Sequence, residues 1–286
     1  MADRPELEFT GERFTPECVR EIAYEHWHRY AWAGEVVRGL VVLDAACGEG
    51  YGSAMLKRTA SEVIGVDIDA QAVAHARQRY QHEGLRYECA DCTSLPLADG
   101  SVDCVVSFET LEHLAEQDAL LAEFRRVLKP SGFLLLSSPD KKTYSDDTGH
   151  QNPFHVRELY RDELEALLGR HFPAWQLYGQ KLMFVSAIWA AGQGHGVEWL
   201  TDHGNELARD SQPGLPALYY LAVAAASEQY LPVLPEASLY GDKQESMYQH
   251  YNHEVAAHIR AGHLLAERDQ EILQLRARVA ELEGKP

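Results

Sequence analysis

Basic residues are scarce in this chain of 286 residues: 26 Lys and Arg stand against 44 Asp and Glu, a formal net charge of −18. A nucleic-acid partner is excluded, because binding phosphates requires a basic face. Anionic membrane surfaces are disfavoured for the same reason. Apolar runs of 18 residues are missing, so no segment is expected to span a membrane, and the N-terminus lacks the basic-then-apolar order of a signal peptide. These absences predict a cytoplasmic chain. Cysteine is sparse too. Five thiols, Cys18, Cys47, Cys89, Cys92 and Cys104, are an odd number and form no disulfide framework in a chain this long. Cys89 and Cys92 have metal-pair spacing, but no second pair accompanies them, so a structural role is expected.

Against this background the segment from Val41 to Ser53 stands out. An apolar run ending in Asp44 leads into a loop with glycines at 48, 50 and 52. Glycine lets a backbone turn tightly and approach a ligand closely, and a strand, a Gly-rich turn and a helix build the nucleotide site of doubly wound α/β folds. Charge then selects the nucleotide. Asp44 and Glu49 would repel the pyrophosphate of a dinucleotide, which disfavours a nicotinamide dehydrogenase. They would favour S-adenosylmethionine, which has no phosphate and carries a sulfonium and an ammonium. A second apolar run ends at Asp67, about twenty residues on, where such folds hold ribose hydroxyls. A third spans Leu85 to Cys92, a fourth Val102 to Phe108, and a fifth Phe133 to Ser138.

Residues 41 to 53 resemble motif I of the class I S-adenosylmethionine-dependent methyltransferases, and the strand spacing over residues 36 to 184 resembles that family throughout. The resemblance implies an α/β fold with a doubly wound, Rossmann-like seven-stranded sheet and an antiparallel last strand. It implies a cofactor site of Asp44, Ala46, Gly48, Gly50, Asp67, Ile68, Asp91, Cys92 and Phe108, with Asp91 and the Cys92 backbone on the adenine. Ala174 to Ala187 and Leu218 to Ala226 are expected as strands six and seven, following a helix from Arg161 to Phe172. The Gly-rich and polar stretch 190–214 between them reads as a substrate-side insertion. The N-terminal 35 residues hold aromatics at helical spacing, so Trp27 and Trp32 are expected to pack on the sheet and Arg13, Phe14, Arg29 or Tyr30 to line the pocket.

Methyl transfer from a sulfonium needs mainly alignment of donor and acceptor. An amine acceptor needs only its lone pair, whereas an alkyl hydroxyl needs a base or a metal. Glu109, Glu112 and His113 follow the fourth strand at i, i+3 and i+4, so on a helical turn all three would point one way. Two readings stay open: His113, with Glu109, as an oriented general base, or Glu109, Glu112 and His113 as a site for a divalent metal such as Mg, which their likeness to ubiquinone-pathway O-methyltransferases implies. A third is that Glu112 and His113 merely cap the turn. A second polar cluster lies beyond strand five, where His150 and Asn152 are candidates for substrate contact and His155 for a second base.

The tail from 241 carries Leu265, Ile272 and Val279 at every seventh position. Ala261, Arg268, Leu275 and Leu282 follow in the second seam, an a/d pattern for a coiled coil beside a methyltransferase domain of residues 1–240. Glu271 would face Arg276, and Arg278 would face Glu283, in a parallel homo-oligomer, with a single packed amphipathic helix as the alternative. The seam is strongest at Ile272 to Leu282, as at the start of a longer rod. Together, Gly11 to Phe14, Glu25 to Tyr30 and Asn152 to Leu159 resemble bacterial methyltransferases of surface glycans, including those capping O-antigen chains, some of which use such a coil to assemble on a partner. That likeness implies O-methylation of a sugar hydroxyl at a glycan end. A small-molecule O- or N-methyltransferase and a non-catalytic scaffold retaining the fold are the alternatives.

Overall fold

The computed structural model describes residues 14–16, 21–188, 197–202, 207–210 and 212–284; Arg13 and Cys18 lie outside them. The chain separates into two compact units, Met1–Leu239 and Tyr240–Pro286.

The first unit is organised by a seven-stranded sheet. Its parallel part comprises β1 (Val41–Ala45), β2 (Glu62–Asp67), β3 (Leu85–Cys89), β4 (Val102–Ser107) and β5 (Leu128–Pro139). Two antiparallel strands complete it: β6 (Ala174–Gln180) and, after a hairpin of β7 (Trp199–Asp202) and β8 (Leu207–Asp210), β9 (Tyr219–Ala225). The order is β3-β2-β1-β4-β5-β9-β6. Successive strands step outward from β1 to β3, and the chain then returns to lay β4 on the other side of β1, with Leu43 beside Ile64 and Val105. That reversal opens a crevice at the carboxyl ends of β1 and β4, where ligands of open α/β sheets bind.

Parallel strands are buried on both faces and so read as continuous apolar runs. Alternate residues feed two cores. Leu43, Val105, Leu134 and Leu136 pack with Leu120, Leu121 and Phe124 of α4 (Gln117–Val127) and Leu164 and Leu168 of α5 (Arg161–His171). Val42, Val106 and Leu135 face the other way, against Tyr30, Trp32 and Ala33 of α1 (Glu21–Val36) and Leu56 of α2 (Tyr51–Leu56). Helix α3 (Ala70–Arg79) is capped by Asp69, whose carboxylate accepts from the Gln71 and Ala72 amides.

Strand six is shorter than its apolar run suggests. Regular pairing stops at Gln180, and residues 181–188 are irregular, with Phe184, Val185 and Ile188 exposed. Lys181 onward finds no partner strand among the described residues, and an apolar run without a ladder partner does not make a strand. Of the expected insertion 190–214, the described part contains the β7–β8 hairpin.

The second unit is dominated by α6 (Ser246–Glu283), a 38-residue helix. Leu265, Ile272, Leu275, Val279 and Leu282 are all more than 45% exposed or at that value, so the heptad seam is an open apolar stripe within its unit. Among the described residues, no helix is long and apolar enough to cross a membrane.

Candidate active site

The loop after β1 is held by positive backbone angles and by one carboxylate. Ala46, Gly48 and Gly50 sit at φ 58°, 55° and 94°, in the left-handed region that glycine tolerates and alanine resists. Asp67, at the end of β2, accepts from the Gly48 amide at 2.8 Å and from the Asp69 amide at 2.9 Å, so it links the loop to the start of α3. Beside it Ile68 is 73% exposed, an unburied apolar side chain in the crevice. Asp91, exposed, caps its own turn by accepting from the Thr93 amide and hydroxyl at 2.8 Å, and Cys92 is buried next to it.

Asp44 lies under the loop, fully buried, accepting from Ser53 Oγ at 2.6 Å and from the Tyr30 hydroxyl at 3.1 Å. Burial pushes its carboxyl up to about 7, against both hydrogen bonds. Phe108, at the end of β4, is buried and meets the Tyr30 ring edge-on at 5.1 Å. The loop after β1 is thus joined to Asp67 at the end of β2, and Asp44 to Tyr30, which meets Phe108 at the end of β4.

Glu49 departs from expectation. Its buried carboxylate is occupied by Arg79 at 2.7 Å, the Tyr80 hydroxyl at 2.9 Å and His75 at 3.3 Å. It ties the loop to α3, and Arg79 neutralises it.

Glu109 also departs. It adopts φ 52°, which breaks the helical spacing, and only Leu111–His113 form a turn. The Glu109 carboxylate accepts from Ser137 Oγ at 2.6 Å and faces Arg29 Nη1 at 3.3 Å. Arg29, from α1, is buried, donates through Nε to Gln180 Oε1 at 2.6 Å and lies 4.3 Å from the centre of the Tyr219 ring. Glu25, one turn earlier, is pushed up to about 7 by burial, with Arg29 pulling the other way. Sequence reasoning placed Arg29 near the pocket but missed Glu25 and Tyr219. Tyr219 follows a long insertion, and no local pattern joins it to α1.

A second polar cluster is built by the turn after β4 and the loop after β5. The Val156 and Arg157 amides donate to the Glu112 carbonyl at 2.8 and 2.9 Å, and the Gln117 amide nitrogen spans the Leu111 and Arg157 carbonyls, both at 2.9 Å. These bonds bring His113 and His155 together, with rings 5.0 Å apart and nearly perpendicular. The Phe154 carbonyl, 3.1 Å from His113 Nδ1, can only accept, so that nitrogen carries the proton. His155 Nδ1 lies 2.6 Å from Glu158 Oε1, and its Nε2 lies 3.0 Å from the amide nitrogen of Asn152. The Asn152 oxygen is already accepting from the Phe154 amide at 3.0 Å, so its NH2 faces His155. Nε2 is therefore the lone-pair nitrogen and Nδ1–H donates to Glu158. His155, not His113, is the imidazole oriented by a carboxylate. Glu158 was missed, although its i+3 spacing from His155 was the available signal. The Tyr144 ring stacks on His155 at 5.4 Å and contacts Tyr219 at 5.9 Å and His150 at 5.7 Å; His150 is exposed.

One ligand atom from each of Glu112, His113 and His155 lies within 4.8 Å of the others. Glu109 is outside this group, because its backbone turns it toward Arg29.

A methyltransferase domain family matches residues 43–136. Malonyl-[acyl-carrier protein] O-methyltransferase of Yersinia pestis is 30% identical over 211 residues, covering 71% of this chain and 77% of its own. The chain belongs to the S-adenosylmethionine-dependent methyltransferases. A Mycolicibacterium smegmatis relative named for that activity is 41% identical over 168 residues, which are 57% of this chain and 63% of the relative; a Mycobacterium tuberculosis one is 42% identical over 165, which are 57% and 60%. The chain thus spans less than two thirds of the length of those relatives. The fold is shared with a protein of Haloferax volcanii solved with the Trm112 methyltransferase activator, at a TM-score of 0.52 and 20% identity over 71% of this chain and 90% of that one.

Proposed function

We propose that this methyltransferase transfers the methyl group of S-adenosylmethionine to a hydroxyl oxygen, with a sugar hydroxyl at a glycan end as the acceptor class. In this reading the Gly48 and Gly50 loop takes the methionine part, with Ala46 and Asp44 beneath it. Asp67 takes the ribose hydroxyls, and Ile68, Asp91 and Cys92 take the adenine. Each Asp67 oxygen receives one amide and keeps acceptor capacity for the ribose. Phe108 and Glu109 flank the sulfonium.

The observation that carries the hydroxyl is the His155–Glu158 pair. An alkyl hydroxyl must lose its proton as the C–O bond forms, and an imidazole fixed in one tautomer by a carboxylate is the device for that. An amine, or a carboxylate such as the one the name of the Yersinia relative implies, needs no such group. A carboxylate acceptor would also have to displace Glu109 from Arg29. His113 lies beside the same acceptor, and His150 and Asn152 border it.

Screening sugars, glycan fragments, amines and carboxylic acids with labelled S-adenosylmethionine tests the reading: label on a hydroxyl supports it, and label confined to nitrogen or carboxylate refutes it. In the same assay Asp67→Ala should weaken cofactor binding by roughly 1 to 3 kcal/mol, the cost of an unmatched buried polar partner. Unchanged affinity by calorimetry would remove Asp67 from the ribose.

For α6, the exposed Leu265, Ile272, Leu275, Val279 and Leu282 stripe and the Glu271–Arg276 and Arg278–Glu283 complementarity support a parallel two-stranded coiled coil between copies of this chain. Removing residues 258–286 should lower the molar mass in light scattering to that of a single chain and leave cofactor affinity intact. The same mass before and after removal, per chain, would exclude the assembly.

A further inference from the structure

The two imidazoles of the acceptor side are oriented in the same unusual way. His113 gives its Nδ1 proton to the Phe154 carbonyl at 3.1 Å, and His155 gives its Nδ1 proton to Glu158 at 2.6 Å. Both therefore keep Nε2 as the lone-pair nitrogen. His113 Nε2 lies 4.0 Å from the Glu112 carboxylate, which is almost wholly buried. An imidazole whose Nδ1–H donates to a carbonyl or carboxylate, leaving Nε2 as the lone-pair nitrogen, is the arrangement of metal-ligating histidines, and here two such rings and a buried carboxylate come together. We propose that Glu112, His113 and His155 bind one divalent ion of the zinc and cobalt class.

The donor set selects the ion. Two nitrogens and one oxygen suit Zn2+ or Co2+, whereas Mg2+ and Ca2+ favour oxygen shells. Three protein ligands leave a fourth position for an acceptor oxygen, the pattern of catalytic rather than structural sites. The ligand atoms lie within 4.8 Å of one another, and around a tetrahedral ion with bonds of about 2.0 to 2.1 Å they would sit about 3.4 Å apart. Side-chain rotation must close the difference, and Asn152 must withdraw its amide from His155 Nε2. Ser145 Oγ, 2.5 Å from Glu158 Oε2, holds the outer carboxylate from behind. The set differs from the sequence expectation in both membership and metal: His155 replaces Glu109, and a nitrogen-preferring ion replaces magnesium.

Binding stands on these residues alone. With the ion bound, His155 Nε2 is a ligand and not the base: the ion would lower the pKa of an acceptor hydroxyl seated at the open position, whose proton leaves to water, and this role rests on the hydroxyl acceptor proposed above. The test uses the full chain, stripped with chelator, dialysed and titrated with Co2+ and Zn2+ by calorimetry and visible absorption. One equivalent with the d–d bands of four-coordinate Co2+ is expected. His155→Gln and His113→Gln should each weaken binding at least ~10²-fold, and Glu158→Gln ~10- to 100-fold through its hold on the ring. Asn152→Ala should tighten it. Thermal unfolding of each stripped variant shows whether it is folded, and two folded histidine variants suffice. Absence of the Co2+ bands in the wild-type chain, or bands that persist undiminished in both histidine variants, overturns the proposal. If the stripped chain binds no ion yet methylates hydroxyls, the metal falls and the hydroxyl reading stands. If the ion binds and no hydroxyl is methylated, the site stands and the hydroxyl reading falls.

Discussion

His155→Gln is expected to lower methyl transfer to a hydroxyl acceptor by ~10²-fold or more, the contribution of a positioned proton-handling group, with affinity for S-adenosylmethionine unchanged. Glutamine is polar and of similar length, so it can still meet Glu158 and keep the loop from Asn152 to Glu158 in place; what it lacks is a nitrogen lone pair that can take a proton or hold a cation. The two affinities separate because His155 lies on the loop after β5, in contact with Tyr144 and His113. The cofactor loop instead follows β1 and is fixed by Asp67. Glu158→Gln should fall between wild type and His155→Gln, because the imidazole remains but its tautomer is no longer enforced. The loss should appear in kcat rather than KM if the group acts in the transition state. Turnover of His155→Gln equal to wild type, in a folded protein, would take the His155–Glu158 pair out of the chemistry.

Much of the fold is legible because a parallel sheet buries both faces of each strand. Val41 to Leu43, Val63 to Val66 and Cys104 to Val106 are apolar without alternation, and a polar residue, Asp44, Asp67 or Ser107, follows each. Asp67 could be placed for the same reason: the strand delivers it to the mouth of the sheet, whatever the loops do. What escaped detection depends on contacts distant in sequence or on single backbone angles. Glu109 belonged to a helical triplet on paper, and a φ of 52° sends it to Arg29 instead. Arg29 itself is buried because Gln180 and Tyr219, more than 150 residues away, close over it. Glu49 looked like a ligand for a cation because its partner Arg79 sits on the following helix. Strand six ended early because, among the described residues, regular pairing with β9 stops at Gln180, although Met183 to Val185 have the composition of a strand. In α6 the heptads predicted the helix, but a second chain is needed to turn a stripe into a seam.

Gly52→Ala should cost stability on the order of 3 to 5 kcal/mol, a large share of the roughly 5 to 15 kcal/mol that holds a domain folded. A Cβ at this position would lie 2.1, 2.3 and 2.6 Å from three ring carbons of Tyr30, far inside contact distance. The ring cannot simply step back. It is held edge-on by Tyr51 at 5.2 Å and Phe108 at 5.1 Å, and its hydroxyl donates to Asp44 at 3.1 Å. Moving it adds an overpacking cost of about 1 to 3 kcal/mol to the loss of a hydrogen bond to a buried carboxylate, worth roughly 1.5 to 3 kcal/mol. Asp44 would then keep Ser53 alone, so cofactor affinity should fall with stability. The cause can be isolated by removing the obstacle. Tyr30→Ala leaves room for the new methyl group, so the double variant should be more stable than the sum of the single losses by over ~1 kcal/mol in urea unfolding, as for residues in direct contact. Tyr30→Phe keeps the ring and should give no such rescue. Strictly additive losses for Gly52→Ala and Tyr30→Ala would mean that the helix start absorbs the methyl elsewhere, and that the close approach of α2 to Tyr30 does not set the position of Asp44.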